Sequence, residues 1–568
     1  MQLKAIFKIL LSILPFFATA QELDWAVMVE TEEASLGYCI AIDNNNNVFL
    51  AGGLYSMADF DNSDDSLLVT SNGSFDCFIA KYDENGNVLW AFNIGGANSD
   101  EIYSIVTDGE NIFVGGRISY DTIDFDPSAD TFNLVSEQSW DGFIAKYDND
   151  GNFIWAKKIG CNSTCEVKSI ALNNNNSLVA TGFFFYQLFV DDPSFTDTME
   201  VYGNKDIFLL SFNLDGSYQW GFNIGDISDT MFPGSCEGWA VACDGDNNIY
   251  LAGSIMSHVD FDPKDSVYLV LADNINKDGF LAKYTPQGEI VWAFSFGAGG
   301  NDYCKDIHID SDSNVYITGG FKDNVDFDPS TNSYILDGHP FFGNTFVSKY
   351  TSYGEIIWAF NVSSHNNPNA SYCLSSDSNN NIFVGGFLCD SSDFDPSENE
   401  YLLISDSWSG YIASYSNSKQ LNWAYNVGEH TDEVFCVIAK EDYLYLSGYF
   451  GYECNFDFLG GEYLFYSGIY GSTAFLAKYA NITSVKENDL FVDVRIYPNP
   501  TNKYVYVSCE NIEKIELWSV SGNLLKSYQV EQKGLYKTID VANLKSGLYF
   551  IKIIDNKENY ICKKIIKN

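Results

Sequence analysis

Carboxylates in pairs are the residues of this chain best suited to chemistry. One short acidic block recurs along it: Asp59-Phe60-Asp61, Asp124-Phe125-Asp126, Val190-Asp191-Asp192, Asp260-Phe261-Asp262, Asp326-Phe327-Asp328, Asp393-Phe394-Asp395 and Asn455-Phe456-Asp457. In extended backbone alternate side chains share a side, so the two carboxylates flank one side and the Phe takes the other. Paired carboxylates with nearby loop carbonyls are the donor set that calcium prefers. Asp124, Asp126, Asp260, Asp262, Asp326, Asp328, Asp393 and Asp395 are therefore the candidate metal ligands, and Ca2+ the candidate cofactor. The competing account has the Phe packing under its loop while each Asp caps backbone N–H groups.

Other chemistry is sparse. His258, His308, His339, His365 and His430 share no metal-ligand spacing. No Gly-x-Ser-x-Gly elbow, His-Glu-x-x-His pair or phosphate-cradling glycine loop occurs. Nothing marks one glycosidase carboxylate pair among so many acids. Trp140 and Trp408 are candidates for stacking on sugar rings, the alternative being that each covers a sheet edge. Thirteen cysteines suit an exported protein. Cys161 and Cys165 bracket a three-residue turn and could close a small disulfide ring; Cys509 and Cys562 are the second candidate pair. Cys39, Cys373 and Cys436 occupy equivalent positions where other repeats carry Ser104 and Ser169, which reads as a row of small residues facing a narrow channel. Asp310-Ser311-Asp312-Ser313-Asn314 lacks the glycine and distal glutamate of a calcium loop and reads as a turn.

The elements that must position these groups repeat as well. Trp25, Trp90, Trp155, Trp220, Trp292, Trp358 and Trp423 recur about every 65 residues, which marks one supersecondary unit used over and over. Each Trp follows a hairpin such as Phe78-Ile79-Ala80-Lys81-Tyr82, Asp83-Glu84-Asn85-Gly86-Asn87, Val88-Leu89-Trp90. Two further strand-like runs precede that hairpin in every period, joined by Asn- and Gly-rich turns. Four antiparallel strands repeated seven times predict an all-β, seven-bladed β-propeller. The chain starts with a lone Trp strand and ends its last repeat at Phe475-Leu476-Ala477-Lys478-Tyr479 without one. The N-terminal strand is therefore expected to close the last blade, which leaves no open sheet edge. The repeat resembles the SBBP-type propeller repeats of secreted bacterial proteins, from Trp25 to Tyr479. Chain direction sends the long acidic loops and the inter-blade connections to one face, and tight turns such as Asp43-Asn44-Asn45-Asn46-Asn47 to the other. The blade-four entry loop, Asp226 to Glu237, is the most divergent, so Met231 and Phe232 join Trp140 and Trp408 as candidate ligand contacts.

Both ends of the chain carry addresses. Lys4 and Lys8, the apolar stretch Ile9 to Phe17 and Ala18-Thr19-Ala20 predict a signal peptide over residues 1–20, with the propeller over 21–480 and a polar linker over 481–493. From Val494 the repeat stops, basic residues outnumber acidic ones, and alternating runs such as Tyr504-Val505-Tyr506-Val507 predict a small Ig-like β-sandwich over 494–568. Tyr497-Pro498-Asn499-Pro500, Ser521-Gly522-Asn523-Leu524, Leu544-Lys545-Ser546-Gly547-Leu548-Tyr549 and the terminal Lys563-Lys564-Ile565-Ile566-Lys567 resemble the type A sorting domain of the Bacteroidota type IX secretion system. The resemblance implies the secretion machinery as a partner and an outer-membrane or secreted destination reached through the periplasm. No later segment is long and apolar enough to predict a transmembrane span in the mature protein.

Charge narrows the partners. The chain holds 31 Lys and Arg against 77 Asp and Glu, a net −46. Such a field repels nucleic acid and tolerates cations, basic partners and neutral glycans. The expected function is a binding or adhesion module for a glycan or protein. An extracellular polysaccharide hydrolase or lyase, or a surface scaffold without a discrete ligand, are the alternatives. Near-identical repeats argue against an enzyme, because an active site breaks a repeat's symmetry in one or two units.

Overall fold

The computed structural model describes residues 22–480 apart from 64, 138, 196–197, 229–233, 263, 265, 273–275, 340–341, 365–368, 429–430, 459–462 and 468–470. Of the C-terminal portion it describes 495–497, 503–508, 512–519, 524–529, 537–542, 544–545, 547–555 and 560–567. The predicted signal peptide and linker lie outside these residues, as do Met231, Phe232 and Cys509. The chain divides into two compact units, Met1–Asn481 and Ile482–Asn568. Both are built from β-strands, and no helix occurs among the described residues.

Each repeat of the first unit is an antiparallel meander. In the second repeat Glu101–Thr107 pairs with Asn111–Ser119, which pairs with Trp140–Asp148, which pairs with Phe153–Cys161. The first strand of each repeat lies against the first strand of the next, and Glu433–Lys440 of the last lies against Ala34–Ile42 of the first. This is a propeller-like arrangement, with buried apolar side chains filling the space between successive sheets. Glu22–Met28 adds to the far side of the last sheet, pairing with Ser472–Ala480 so that Ala26 faces Ala477. The lone strand has thus found the strand that lacked a partner.

The recurring Trp is a clasp between repeats. Trp25 Nε1 donates to the carbonyl of Glu84 at 2.9 Å, Trp155 to Leu214 at 3.1 Å and Trp358 to Asn417 at 3.1 Å, each in the hairpin of the adjoining repeat. The indole lies flat against that hairpin's glycine. At Gly86, whose φ is +83°, a Cβ would stand 2.8 Å from the Trp25 ring, so the turn needs glycine for both its left-handed backbone and its neighbour. Lys478 Nζ reaches the same Glu84 carbonyl at 3.0 Å. The first and last strands of the unit therefore grip one turn together.

The second unit has two antiparallel sheets. One is Arg495–Tyr497, Tyr504–Ser508 and Lys537–Asp540; the other is Leu524–Gln529, Ile512–Ser519, Gly547–Asp555 and Tyr560–Lys567. Val505, Val507, Ile515, Leu517, Ile539, Ile551 and Ile553 form their common core.

Candidate functional site

The acidic blocks work as loop clamps. Asp124 Oδ1 accepts from Asp126 N at 3.1 Å and Phe132 N at 2.8 Å, and Asp126 accepts from Ser128 N at 2.9 Å. Asp260 takes Asp262 N and Tyr268 N, Asp326 takes Asp328 N and Tyr334 N, and Asp393 takes Asp395 N and Tyr401 N, all within 3.1 Å. Asp328 and Asp395 cap Ser330 and Ser397, and Asp262 accepts from Ser266 Oγ. The central Phe is fully buried in each, as Phe125 is against Phe143 at 5.0 Å. A tyrosine hydroxyl then ties the block to its sheet, Tyr147 donating to the Phe125 carbonyl at 2.9 Å. Among the described residues, the one cluster of three potential metal ligands within 4.8 Å is Asp141, Cys161 and Cys165, and no acidic block contributes to it.

Cys161 and Cys165 do come together, as two buried free thiols beside Asp141. Burial raises the Cys165 thiol well above its ordinary range, and the neighbouring Cys161 adds to the effect. Cys562 lies on the last strand of the second unit. The Asp310 segment is a turn: Asp310 Oδ1 accepts from Asp312 N and Asn314 N, and Ser313 adopts φ 62°.

A different set of residues meets at the end where the inner strands begin. Every inner strand breaks register once, and the break skips a single residue: between Gly37 and Cys39, Ile102 and Ser104, Val167 and Ser169, Gly238 and Ala240, Cys304 and Asp306, Ser371 and Cys373, and Val434 and Cys436. A bulge turns the skipped side chain off the normal alternation. Those side chains are Tyr38, Tyr103, Lys168, Trp239, Lys305, Tyr372 and Phe435, and every one is half-buried.

They touch across repeat boundaries. Lys305 Nζ lies 3.2 Å from the Trp239 ring centre, Lys168 Nζ 5.3 Å from the same ring and 3.8 Å from Tyr103. Tyr103 meets Tyr38 at 5.9 Å, Tyr38 meets Phe435 at 5.3 Å, and Phe435 meets Tyr372 at 5.6 Å. The result is a collar of aromatic rings and two ammonium groups. It is open enough to leave each ring partly exposed.

Charges ring the cationic half of this collar. Arg117 bridges Glu101 at 2.6 Å and Glu166 at 3.0 Å, and Lys168 also holds Glu166. Lys277 holds Glu237 at 2.6 Å, with Lys205 on its other oxygen. Burial would raise the Glu237 carboxyl, but Lys277 and Lys205 outweigh it and hold it at about 2. Tyr38 and Tyr103 donate to the two oxygens of Glu101. On the aromatic half, burial raises the Glu433 carboxyl, opposed by hydrogen bonds from Tyr449 and Tyr372. The chemistry available is stacking plus ionic recognition. No carboxylate here is poised as a free acid–base partner of a second one.

Trp140 and Trp408 both reach this end. Arg117 lies 3.9 Å over the Trp140 ring, and Trp408 stacks on Phe387 at 4.8 Å and 7° with 45% of its surface exposed. Asp226 anchors the divergent loop of the fourth repeat, accepting from Gly234 N, Ser228 N and His258 N. Cys39, Cys373 and Cys436 follow the skipped residue of their strands as free thiols, the last pushed by burial up to about 12. An open groove of about 710 Å³ lies elsewhere, beside the Asn-rich hairpins, lined by Tyr334, Trp358, Asn379 and Lys419. Its groups are already engaged, Lys419 with the Tyr334 hydroxyl and Trp358 with Asn417.

The collar escaped the sequence reading because alternation assigns Tyr38 and its equivalents to the side opposite Cys39. The available signal was variation. Across seven aligned repeats this position reads Tyr, Tyr, Lys, Trp, Lys, Tyr and Phe, while its neighbours are small or aliphatic.

Comparison with known proteins gives the C-terminal unit a family. Residues 495–568 match the secretion system C-terminal sorting domain. The chain is therefore exported by type IX secretion to the cell surface or extracellular space, and its partner on that route is the secretion machinery. No helix among the described residues is long and apolar enough to cross a membrane. The chain is 25% identical over 433 residues to an uncharacterized WD repeat-containing protein, L264, of Acanthamoeba polyphaga mimivirus, covering 64% of this chain and 31% of that protein. It is 25% identical over 159 residues to the regulatory protein FlaEY of Caulobacter vibrioides, covering 27% of this chain and 16% of that one. The chain thus spans less than a third of either relative. Among solved structures, the WD40 beta propeller domain of Doa1 aligns with 83% of this chain and 98% of its own, at 9% identity and a TM-score of 0.36. The phage phi92 endosialidase aligns with 96% and 87%, at 10% identity and a TM-score of 0.35.

Proposed function

We infer that this is an exported binding module: a seven-bladed, SBBP-type β-propeller over residues 21–480 that presents the collar as its binding site, with residues 494–568 serving as an Ig-like export signal. The seven meanders, the contact between first and last inner strands and the pairing of Glu22–Met28 with the last repeat support the closed ring. The observation that carries the function is the collar itself. Seven structurally equivalent, half-exposed positions hold large aromatic or cationic side chains, where a role in folding alone would favour one residue repeated. Flat rings with one face open suit the C–H faces of sugars, so the ligand is a glycan. Glu101, Glu166 and Glu237 are each held by cations, which suits positioning rather than proton transfer and favours binding over hydrolysis.

An oligosaccharide array probed with the full mature chain tests this. A bound saccharide should be lost on Trp239→Ala and Tyr372→Ala while the melting temperature stays put. Binding that survives both substitutions would move the site away from the collar.

A further inference from the structure

The cationic half of the collar does not balance. Arg117 and Lys168 share Glu166, Arg117 also holds Glu101, and Lys205 and Lys277 share Glu237, so four cations already meet three carboxylates. Lys305 comes on top of these. Among the described residues no carboxylate lies within ion-pair distance of it, and its ammonium rests on the Trp239 indole at 3.2 Å. A cationic island at a binding mouth is unexpected in a chain of net charge −46. An enclosed cation without a counter-ion is costly, and an incoming anion would relieve that cost.

We propose that the collar takes a carboxylate-bearing saccharide, a hexuronate, with the carboxylate on Lys305 and Lys168 and the pyranose ring against Trp239. The proposal rests on the collar being the binding site and adds the ligand's charge. Trp239 lies between the two ammonium groups, 3.2 Å from one and 5.3 Å from the other. A ring stacked on the collar's aromatic surface would place an equatorial carboxylate beside both. Burial first, and then repulsion from Lys168, brings the Lys305 ammonium down to about 7, as expected of a cation still waiting for its partner. A saccharide fits better than an acidic peptide because the recognition surface is made of flat rings, with Tyr103, Tyr38, Phe435 and Tyr372 continuing it away from the cations.

Titration calorimetry of the full mature chain with trigalacturonate and trimannuronate, their methyl esters and hexaglutamate tests the proposal. Each uronate binding at least about tenfold more tightly than its ester is the expected result. Lys305→Met should erase that preference and Lys305→Arg restore it; removing an uncompensated cation should leave the melting temperature unchanged or higher. Trp239→Ala should abolish binding of acid and ester alike. Esters binding as tightly as acids would overturn the charge assignment and leave the collar as a neutral-glycan site. Hexaglutamate matching the uronates would overturn the saccharide assignment. No calorimetric binding of either uronate would overturn the proposal outright, and collar-independent array binding would overturn the site on which it stands.

Discussion

Two rows of large side chains run around the repeats, and they obey opposite rules. The outer row is Trp25, Trp90, Trp155 and their successors, one residue type at every position, each sealing a repeat to the hairpin beside it. The collar on the inner strands changes from Tyr to Lys to Trp to Phe around the axis. A contact between identical units has one best solution, so every repeat uses it. A surface left half-exposed is free of that constraint, and its variety has to answer to something outside the chain. Architecture therefore resides in the outer row, and recognition in the inner one.

The sharpest way to break this comparison is to remove the strand that joins start to finish. Deleting Glu22–Met28 unburies the Trp25 clasp, frees an edge of the last sheet, and should cost at least about 3–5 kcal/mol for the Trp alone. Self-association through that edge should follow. A chain that melts at the same temperature and remains a monodisperse monomer would show that the strand closes nothing.

Next come single substitutions in each row. Trp358→Ala, at 6% exposure in the outer row, should lower stability by about 3–5 kcal/mol and leave ligand affinity intact. Trp239→Ala, in the half-exposed collar, should cost about 1 kcal/mol or less in stability and remove binding. Chemical denaturation alongside a binding titration separates the two. If both variants lose stability equally and binding not at all, the division between rows fails.

The smallest effect is expected at the acidic blocks. Asn455 stands where other repeats carry the first Asp, and its side-chain oxygen takes the same two backbone N–H groups, Asp457 N at 3.0 Å and Tyr463 N at 3.1 Å. The turn thus needs an oxygen acceptor and tolerates its lack of charge. Asp393→Asn with Asp395→Asn should shift stability by no more than about 0.5 kcal/mol, with or without added calcium. A calcium-dependent stabilisation of the parent, near 2.7 kcal/mol per site at a hundredfold excess over Kd, that shrinks in this variant would instead make the blocks metal sites.

How much of this was legible beforehand differs by element. Turn chemistry, strand alternation and the Trp period are local rules, so the four-strand unit, the missing partner of the first strand and the export signal could be read directly from residues. The acidic blocks were read as one of two things because spacing alone sets which groups are near each other and leaves open what each carboxylate accepts. The backbone N–H groups that engage Asp124 and its equivalents come from its own loop, and only the loop's closure brings Phe132 N back to it. Trp140 and Trp408 stood out by breaking the repeat, and both do lie at the collar end, although Arg117 covers one and Phe387 the other.

What the sequence determined by itself is everything that follows from periodicity: strands, hairpins, the order of pairing and the destination of the chain. What only the tertiary structure decided is the site. A bulge adds one residue and reverses the facing of a side chain, and no local rule marks where it falls, because the register break is set by how an inner strand must bend to fit beside its neighbours. Tyr38, Tyr103, Lys168, Trp239, Lys305, Tyr372 and Phe435 are scattered through the chain and become one surface only when the strands that carry them come side by side.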